Sequence, residues 1–175
     1  MKKEIKKLIN DEELLKLESV LRPLFNQFVE VKMNIRKKLE DYSDGKNLKG
    51  DEIVGWLGEI YGKILFSGIL VDDSQEHDFQ INDEIRVSVK ARKGYKSGWN
   101  RTSAIPKIEG EDCPTHLMFI HFNDDYSIDR IWLFPWEFLM KNDRFKEHIV
   151  REERRSFILT IRKVKDMDFI IYNKN

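Results

Sequence analysis

Residues 78–91 read DFQINDEIRVSVKA, and this stretch decides how the chain folds. From residue 85 onward apolar and polar side chains alternate, so that Ile85, Val87 and Val89 share one face and the polar side chains share the other. A period of two predicts a half-buried strand. The Asn-Asp pair at 82–83 predicts a turn that joins this strand to a short strand over 78–81. A β-hairpin is therefore expected here.

A long helix is predicted before the hairpin. Apolar side chains recur every three or four residues between Leu14 and Leu39, which is typical of an amphipathic helix from residue 10 or 11 to about residue 42. Pro23 lies inside this helix and predicts either a kink or an opening of its second half. The segment 43–50, which contains Asp-Gly and Lys-Gly pairs, predicts a loop.

A second helix is predicted from residue 51 or 52 to the Ser-Gly pair at 67–68, because glycine commonly ends helices. It contains Gly55, Gly58 and Gly62. Each glycine weakens a helix by up to about 1 kcal/mol relative to alanine. Three of them in one helix predict close packing against a neighbouring element.

The later part of the chain predicts more strands, separated by a polar, glycine-containing loop over 93–106. The order of helix, helix, strands, short helix and strands predicts a mixed α/β (α+β) domain built on one sheet. We expect residues 1–45 to form an N-terminal helical extension and residues 46–175 to form a single compact unit. Further strands are predicted over 69–71, 116–122, 130–134, 157–164 and 169–172, with a short helix over 135–140.

The composition excludes several classes of protein. A single cysteine, Cys113, permits no intramolecular disulfide, which favours a reducing compartment. Acidic residues interrupt the apolar stretch that follows the basic N-terminus, so neither a signal peptide nor a membrane span is predicted. A cytoplasmic protein without a membrane partner is expected.

Charge is distributed unevenly along the chain, although its 31 basic and 31 acidic residues balance. Residues 72–84 include six acids and no lysine or arginine, whereas residues 85–108 include seven cations and no acid. An acidic cluster followed directly by a basic one suits a site that holds a divalent cation beside a polyanion.

Several side chains in this region carry the groups that metal-dependent phosphodiester hydrolysis requires. This chemistry needs hard oxygen ligands for the ion, a cation that stabilises developing negative charge, and an activated water. Asp78 stands at a strand start, and Ser88 and Lys90 share one face of the next strand because they are two residues apart. Glu59 lies mid-helix among apolar residues and glycines, where a carboxylate has little structural reason to be.

These residues resemble the PD-(D/E)XK nuclease superfamily, which includes many restriction endonucleases and Holliday-junction resolvases. Its pattern is a helix with a Gly-Glu step, then an Asp, then a strand with an acid, one apolar residue and a lysine. The segments GWLGE (55–59), HDF (77–79) and VSVKA (87–91) are similar to these three parts. The resemblance covers about residues 51–92 and implies a restriction-endonuclease-like central mixed sheet flanked by helices.

The resemblance also implies roles for particular residues. Asp78 would ligate Mg²⁺, for which Mn²⁺ would substitute, and Glu59 would ligate the ion directly or through a water. Lys90 would orient the nucleophilic water or stabilise charge. Ser88 is the fourth residue of this expected catalytic group.

Ser88 departs from the family pattern, which usually has Asp or Glu at this position. A serine hydroxyl is a weak metal ligand, so three alternatives stay open. Glu59 supplies the missing carboxylate, or Asp83 or Glu84 swings in, or the domain binds nucleic acid without cutting it.

The basic segment after the hairpin predicts a nucleic-acid-binding surface. It combines cations for phosphate contacts with two aromatic rings suited to stacking or groove insertion. A solvated flexible loop is the alternative. The residues expected to contact nucleic acid are Arg92, Lys93, Tyr95, Lys96, Trp99 and Arg101.

The sequence therefore predicts a Mg-dependent endonuclease that hydrolyses phosphodiester bonds, with double-stranded DNA as the expected partner. A homodimer is expected because a small domain with one site needs two copies to cut both strands. One alternative is a catalytically inactive nucleic-acid-binding module of the same fold, which Ser88 favours. Another is a protein-interaction domain in which the acidic and basic clusters pair with each other.

Overall fold

The structure, a computed structural model, describes residues 10–40, 53–71, 75–150 and 154–174. Two helices come first, α1 (Asp11–Glu40) and α2 (Ile53–Leu65), and a short helix α3 (Trp136–Lys141) and a 3₁₀ turn (Met167–Phe169) follow later. The strands are β1 (Ile69–Leu70), β2 (Phe79–Asn82), β3 (Ile85–Lys93), β4 (His116–Phe122), β5 (Ile128–Pro135), β6 (Phe145–Val150), β7 (Arg154–Leu159) and β8 (Ile170–Asn173).

The main sheet has six strands in the order β1-β2-β3-β4-β5-β8. The β3–β4 pair is parallel and the other neighbouring pairs are antiparallel, so the sheet is mixed. The predicted hairpin is confirmed, since β2 and β3 pair antiparallel with Phe79 opposite Val87. A mixed α+β fold is thus confirmed, and the hairpin lies toward one edge of its sheet.

Both faces of the main sheet are covered by other elements. On one face α1 and α2 pack over apolar side chains of β3 and β4 such as Val89 and Met118. On the other face Phe119 and Trp132 form a second cluster with Leu139 of α3 and with the β6–β7 hairpin. We call these the helix face and the aromatic face.

Helix α1 begins with three acidic residues in its first turn, where their charge is favourable beside the positive end of the helix dipole. It continues through Pro23 to Glu40 as one helix, so its second half does not open. The carboxylate of Glu18 is buried and accepts a hydrogen bond from the backbone N–H of Ile128, which ties the helix to β5.

The expected domain boundary at residue 45 and the loop at 43–50 lie outside the described residues. Within the described ranges, no helix combines the length and the apolar content needed to span a membrane.

The expectation of a single sheet was wrong in one respect, because β6 and β7 form a separate two-stranded sheet. Residues 160–166 turn back after β7 instead of continuing the predicted strand. The turn is fixed by a buried ion pair in which Arg144 donates two hydrogen bonds of 2.8 Å to Asp166. The sequence of β6, FKEHIV, has no clean alternation of apolar and polar residues, so no strand was predicted there.

Helix α2 lies close to the sheet through two of its three glycines. A Cβ atom at Gly58 would lie 2.9 Å from the Cβ of Ala91 and 3.2 Å from Val89 Cγ1, and one at Gly62 would lie 2.9 Å from the ring of Phe79. At Gly55 a Cβ would meet no atom of the described residues within 4 Å. The predicted close packing is therefore confirmed for Gly58 and Gly62 and was wrong for Gly55.

This difference predicts opposite effects of the same substitution. Gly58→Ala is expected to lower the free energy of unfolding by about 1–3 kcal/mol, because the Cβ of Ala91 cannot swing away and the helix must shift. Gly55→Ala is the matched control and is expected to raise the free energy of unfolding by about 0.5–1 kcal/mol. Urea unfolding followed by circular dichroism measures both. A Gly58→Ala protein as stable as the wild type would contradict the close approach of α2 to β3.

Candidate functional site

Asp78 lies immediately before β2, at the point where that strand begins to pair with β3. Its backbone N–H donates a hydrogen bond of 2.9 Å to the carbonyl of Val87. Because Phe79 is opposite Val87, Asp78 is level with Ser88, and the two side chains lie on the same face of the hairpin. The pairing therefore brings together two residues that are ten positions apart in the chain.

The carboxylate of Asp78 is bound to β3 by two hydrogen bonds. Its Oδ2 atom accepts one bond from the Ser88 hydroxyl at 3.2 Å and a short one from the backbone N–H of Val89. Both bonds end on Oδ2, so Oδ1 accepts none from the described residues. Ser88 is only 5% exposed and acts here as a donor that orients Asp78.

Lys90 follows Ser88 by two positions and lies on the same face of β3, which is the aromatic face. It is level with Phe119 of β4 and is half-buried. Within the described part of the chain, its ammonium group has neither a hydrogen bond nor an ion pair. A half-buried cation without a counter-ion is unusual, because desolvating a charge costs free energy unless a partner compensates for it.

Glu59 is carried by α2, which packs on the other face of β3. It follows Gly58 directly, and Gly58 contacts β3 at Val89 and Ala91, the residues on either side of Lys90 in sequence. The side chain of Glu59 is half-buried and is not part of the hydrogen-bonded group around Asp78. The structure thus places Glu59 along the same stretch of β3 as Lys90, approaching from the helix face.

Asp83 and Glu84 do not supply the acid that the family pattern has at Ser88. They form the exposed turn between β2 and β3, where the side chain of Asn82 accepts hydrogen bonds from the N–H groups of Glu84 and Ile85. This turn is at the opposite end of β2 from Asp78, five residues away, or roughly 16 Å along a strand. One of the three alternatives from the sequence is therefore wrong.

Asp78 supplies an oxygen suited to a hard divalent cation, because one of its carboxylate oxygens has no hydrogen bond to the described residues. Glu59, the other carboxylate that the family pattern assigns, lies on α2 at the opposite face of β3, so the structure does not bring the two together on one face. No group of three or more His, Cys, Asp or Glu residues in the described ranges is arranged to hold a metal ion. Mg²⁺ is commonly held by one or two carboxylates together with phosphate oxygens of the substrate.

The basic segment divides between the two faces of the sheet. Arg92 and Arg101 lie together on the aromatic face, where Nε of Arg92 donates a 2.9 Å hydrogen bond to the carbonyl of Arg101. Lys93 points to the helix face, with its Nζ 4.3 Å from the centre of the Tyr126 ring. Lys96 is exposed in the turn that follows β3. The six expected nucleic-acid contacts therefore do not form one continuous surface.

The two aromatic residues of this segment pack mainly against the protein itself. The rings of Tyr95 and Trp99 lie 4.7 and 4.4 Å from the ring of His121, which is fully buried. His121 in turn contacts Asp129 and the carbonyl of Gly94, each at 2.9 Å. Trp99 anchors the loop to the sheet, whereas Tyr95 is 52% exposed and keeps one side open to solvent.

Sequence patterns did not identify His121, Thr102 and His148 as neighbours of this region. Thr102 binds β7, since its N–H donates to the Leu159 carbonyl and its hydroxyl accepts from the Leu159 N–H. This contact places the loop after β3 against the β6–β7 hairpin, which carries His148. Thr102 is 46 positions from His148 and 57 from Leu159, so no local periodicity links them.

Comparisons with protein-family models and with curated proteins found no match to this chain. The assignment of chemistry to the site therefore depends on the residues and contacts described above.

The hydrogen bonds of Asp78 predict a difference between two substitutions. Asp78→Ala is expected to lower the free energy of unfolding by about 1–3 kcal/mol, because it leaves the Val89 N–H and the Ser88 hydroxyl without their acceptor. Asp78→Asn is expected to cost less, since the amide oxygen still accepts from Val89. Chemical unfolding of both variants measures the difference, and equal losses would show that these bonds do not stabilise the hairpin.

Proposed function

We propose that this protein is a metal-dependent endonuclease that hydrolyses phosphodiester bonds in DNA. The observation that carries the proposal is the row of Asp78, Ser88 and Lys90 on one face of β2 and β3. An oriented carboxylate stands at one end of this row, and at the other stands a half-buried lysine that forms no ion pair with a described residue. A metal-bound phosphodiester is the kind of group that would satisfy both at once.

Each residue of the site has a distinct role in this proposal. Lys90 stabilises the negative charge that develops on the phosphate, or orients the attacking water, because its ammonium group has no competing partner among the described residues. Ser88 holds Asp78 in place through its hydroxyl and does not itself bind the metal. The half-buried position of Lys90 strengthens its interaction with an anion, since charges interact more strongly away from bulk water.

Asp78 and Glu59 are the residues that would hold Mg²⁺, or Mn²⁺ in its place. The ion would act as a Lewis acid toward the scissile phosphate. Asp83 and Glu84 lie at the far end of the hairpin, so Glu59 is the acid left to take the part that Ser88 lacks, and it would have to reach the ion from the helix side of β3. Arg92 and Arg101, next to the site on the same face, would contact the DNA backbone.

The proposal predicts that Lys90→Ala loses cleavage and keeps most of its DNA binding. We expect the cleavage rate to fall by about 100-fold or more, as when one charge-stabilising group is removed from an active site. Stability should change by no more than about 0.5 kcal/mol, since Lys90 has no partner to lose within the described structure. The measurement is conversion of supercoiled plasmid in the presence of Mg²⁺, with a fluorescence anisotropy assay for binding.

Lys165→Ala is the matched control for this substitution, because Lys165 is an exposed lysine outside the site. It should cleave like the wild type. Full activity of Lys90→Ala would refute the role assigned to Lys90 and, with it, the proposed site.

A second candidate function is an inactive nucleic-acid-binding module, and the observation that favours it is Ser88 in place of an acid. The same plasmid assay distinguishes the two functions when Mg²⁺ or Mn²⁺ is titrated against the wild-type protein. Only an enzyme yields metal-dependent products, whereas an inactive module binds the plasmid at low salt and leaves it intact.

We also propose that the protein acts as a homodimer, since one site cuts one strand. Support comes from an apolar stripe on α1 formed by Val20, Leu24, Phe28 and Val31, which are 41–62% exposed and recur at steps of four, four and three residues. This spacing puts them on one side of the helix.

Leu24→Glu tests the dimer, because the charge would lie inside the proposed contact while the fold keeps its core. Light scattering should give twice the mass of one chain for the wild type and the mass of one chain for the variant. The variant is also expected to nick plasmid instead of linearising it. A monomeric wild-type protein would contradict the proposal.

A further inference from the structure

A cavity of about 320 Å³ lies on the aromatic face beyond Lys90. It lies between β3, the loop that follows β3, and the β6–β7 hairpin. Arg92 lines it from the strand, Arg101, Thr102 and Ser103 line it from the loop, and His148 lines it from the hairpin. None of the residues described around this cavity is acidic.

The positive charge of this cavity has no acidic counterpart among the lining residues that the structure describes. Arg92 is half-buried, its Nε donates a hydrogen bond to the backbone carbonyl of Arg101, and both arginines line the same cavity. Neither arginine has an ion pair with any residue of the described ranges. Burial and then the neighbouring charge of Arg101 lower the pKa of Arg92 below its ordinary value. A half-buried guanidinium beside a second, exposed one favours the binding of an anion.

The cavity is also in line with the proposed site. Arg92 follows Lys90 by two positions, so both side chains lie on the same face of β3, about 6.6 Å apart along the strand. Phosphates along one strand of DNA advance by about 3.4 Å of helix rise per nucleotide. A strand whose phosphate lies at Lys90 therefore has a neighbouring phosphate within reach of Arg92.

We propose that this cavity binds a backbone phosphate of the nucleic acid, one or two nucleotides from the scissile phosphate. Arg92 and Arg101 supply the charge, and the exposed hydroxyl of Ser103 supplies a further donor. Guanidinium groups suit this role because they bind phosphate oxygens in a bidentate manner. The inference rests on the proposed function for the identity of the polyanion, and it assigns the cavity to fixing the position of the strand.

The test is a binding scan with short fluorescent DNA duplexes, each carrying one neutral methylphosphonate in place of a phosphate. Binding is measured by anisotropy without divalent metal, so that no cleavage takes place. For the wild type, one modified position should weaken binding by about tenfold. For Arg92→Gln, binding to unmodified DNA should be weaker by a similar factor, and the same modified position should have no further effect.

Arg101→Gln is a second variant with the same expected result, and it tests the cavity even if Arg92→Gln is poorly folded, since Arg101 is exposed. Lys165→Gln removes one exposed charge elsewhere and should keep the position-dependent loss seen in the wild type. Removal of either arginine should also reduce the dependence of the logarithm of the binding constant on the logarithm of salt concentration by about one. The proposal would be overturned if each methylphosphonate weakened DNA binding by the arginine variants as much as it weakens binding by the wild type.

The outcomes separate this inference from the proposed function. If the arginine variants lose sensitivity to one modified position but the wild type never cleaves DNA, the cavity is a phosphate site and the nuclease proposal fails. If the wild type cleaves DNA, and the arginine variants lose as much binding affinity as the wild type at each methylphosphonate position, the nuclease proposal stands and the cavity proposal fails. A wild type that does not bind DNA overturns both.

Discussion

The geometry of the candidate site depends on the hydrogen bonds that Asp78 makes to β3. β2 begins at Phe79, which is opposite Val87, whereas β3 continues to Lys93. Beyond Val87, β3 therefore has no paired strand on this side among the described residues. The Asp78 carboxylate accepts the bond of the Val89 N–H that a strand carbonyl would otherwise accept. Because the carboxylate takes the place of a strand carbonyl, the pairing ends without leaving a buried donor unsatisfied. The same bond fixes a carboxylate on the aromatic face of the sheet, beside Ser88 and Lys90.

The hairpin and the parts of the fold near it follow from local patterns. Apolar and polar side chains alternate from Ile85 to Val89, so the strand can bury its apolar side chains in only one orientation. This orientation also decides the face of the sheet on which Ser88 and Lys90 lie. Two of the glycines in α2 signal the approach of the helix to β3, because an added Cβ would collide there. Gly55 has the same local sequence signal and no such neighbour, so composition alone does not tell a packing glycine from an exposed one.

The remainder of the site depends on contacts between distant parts of the chain. The loop after β3 appears polar in the sequence, yet Thr102 pairs with Leu159 and Trp99 packs on His121. Neither partner can be found from periodicity, since each is more than 20 residues away. β6 escaped prediction for a related reason. Its stability comes from pairing with β7 and from Phe145 in the aromatic cluster, and its own residues show little strand character.

The separation of β6–β7 from the main sheet has a consequence for the coupling of ligand and fold. The cavity between them is walled by β3 on one side and by His148 and Ile158 on the other. An anion bound there would therefore bridge two sheets that share no strand pairing in the described residues. By mass action, such a ligand stabilises the docked arrangement over any in which the hairpin is detached. Occupancy of the cavity that Arg92 and Arg101 line would in this way be linked to the cohesion of the domain.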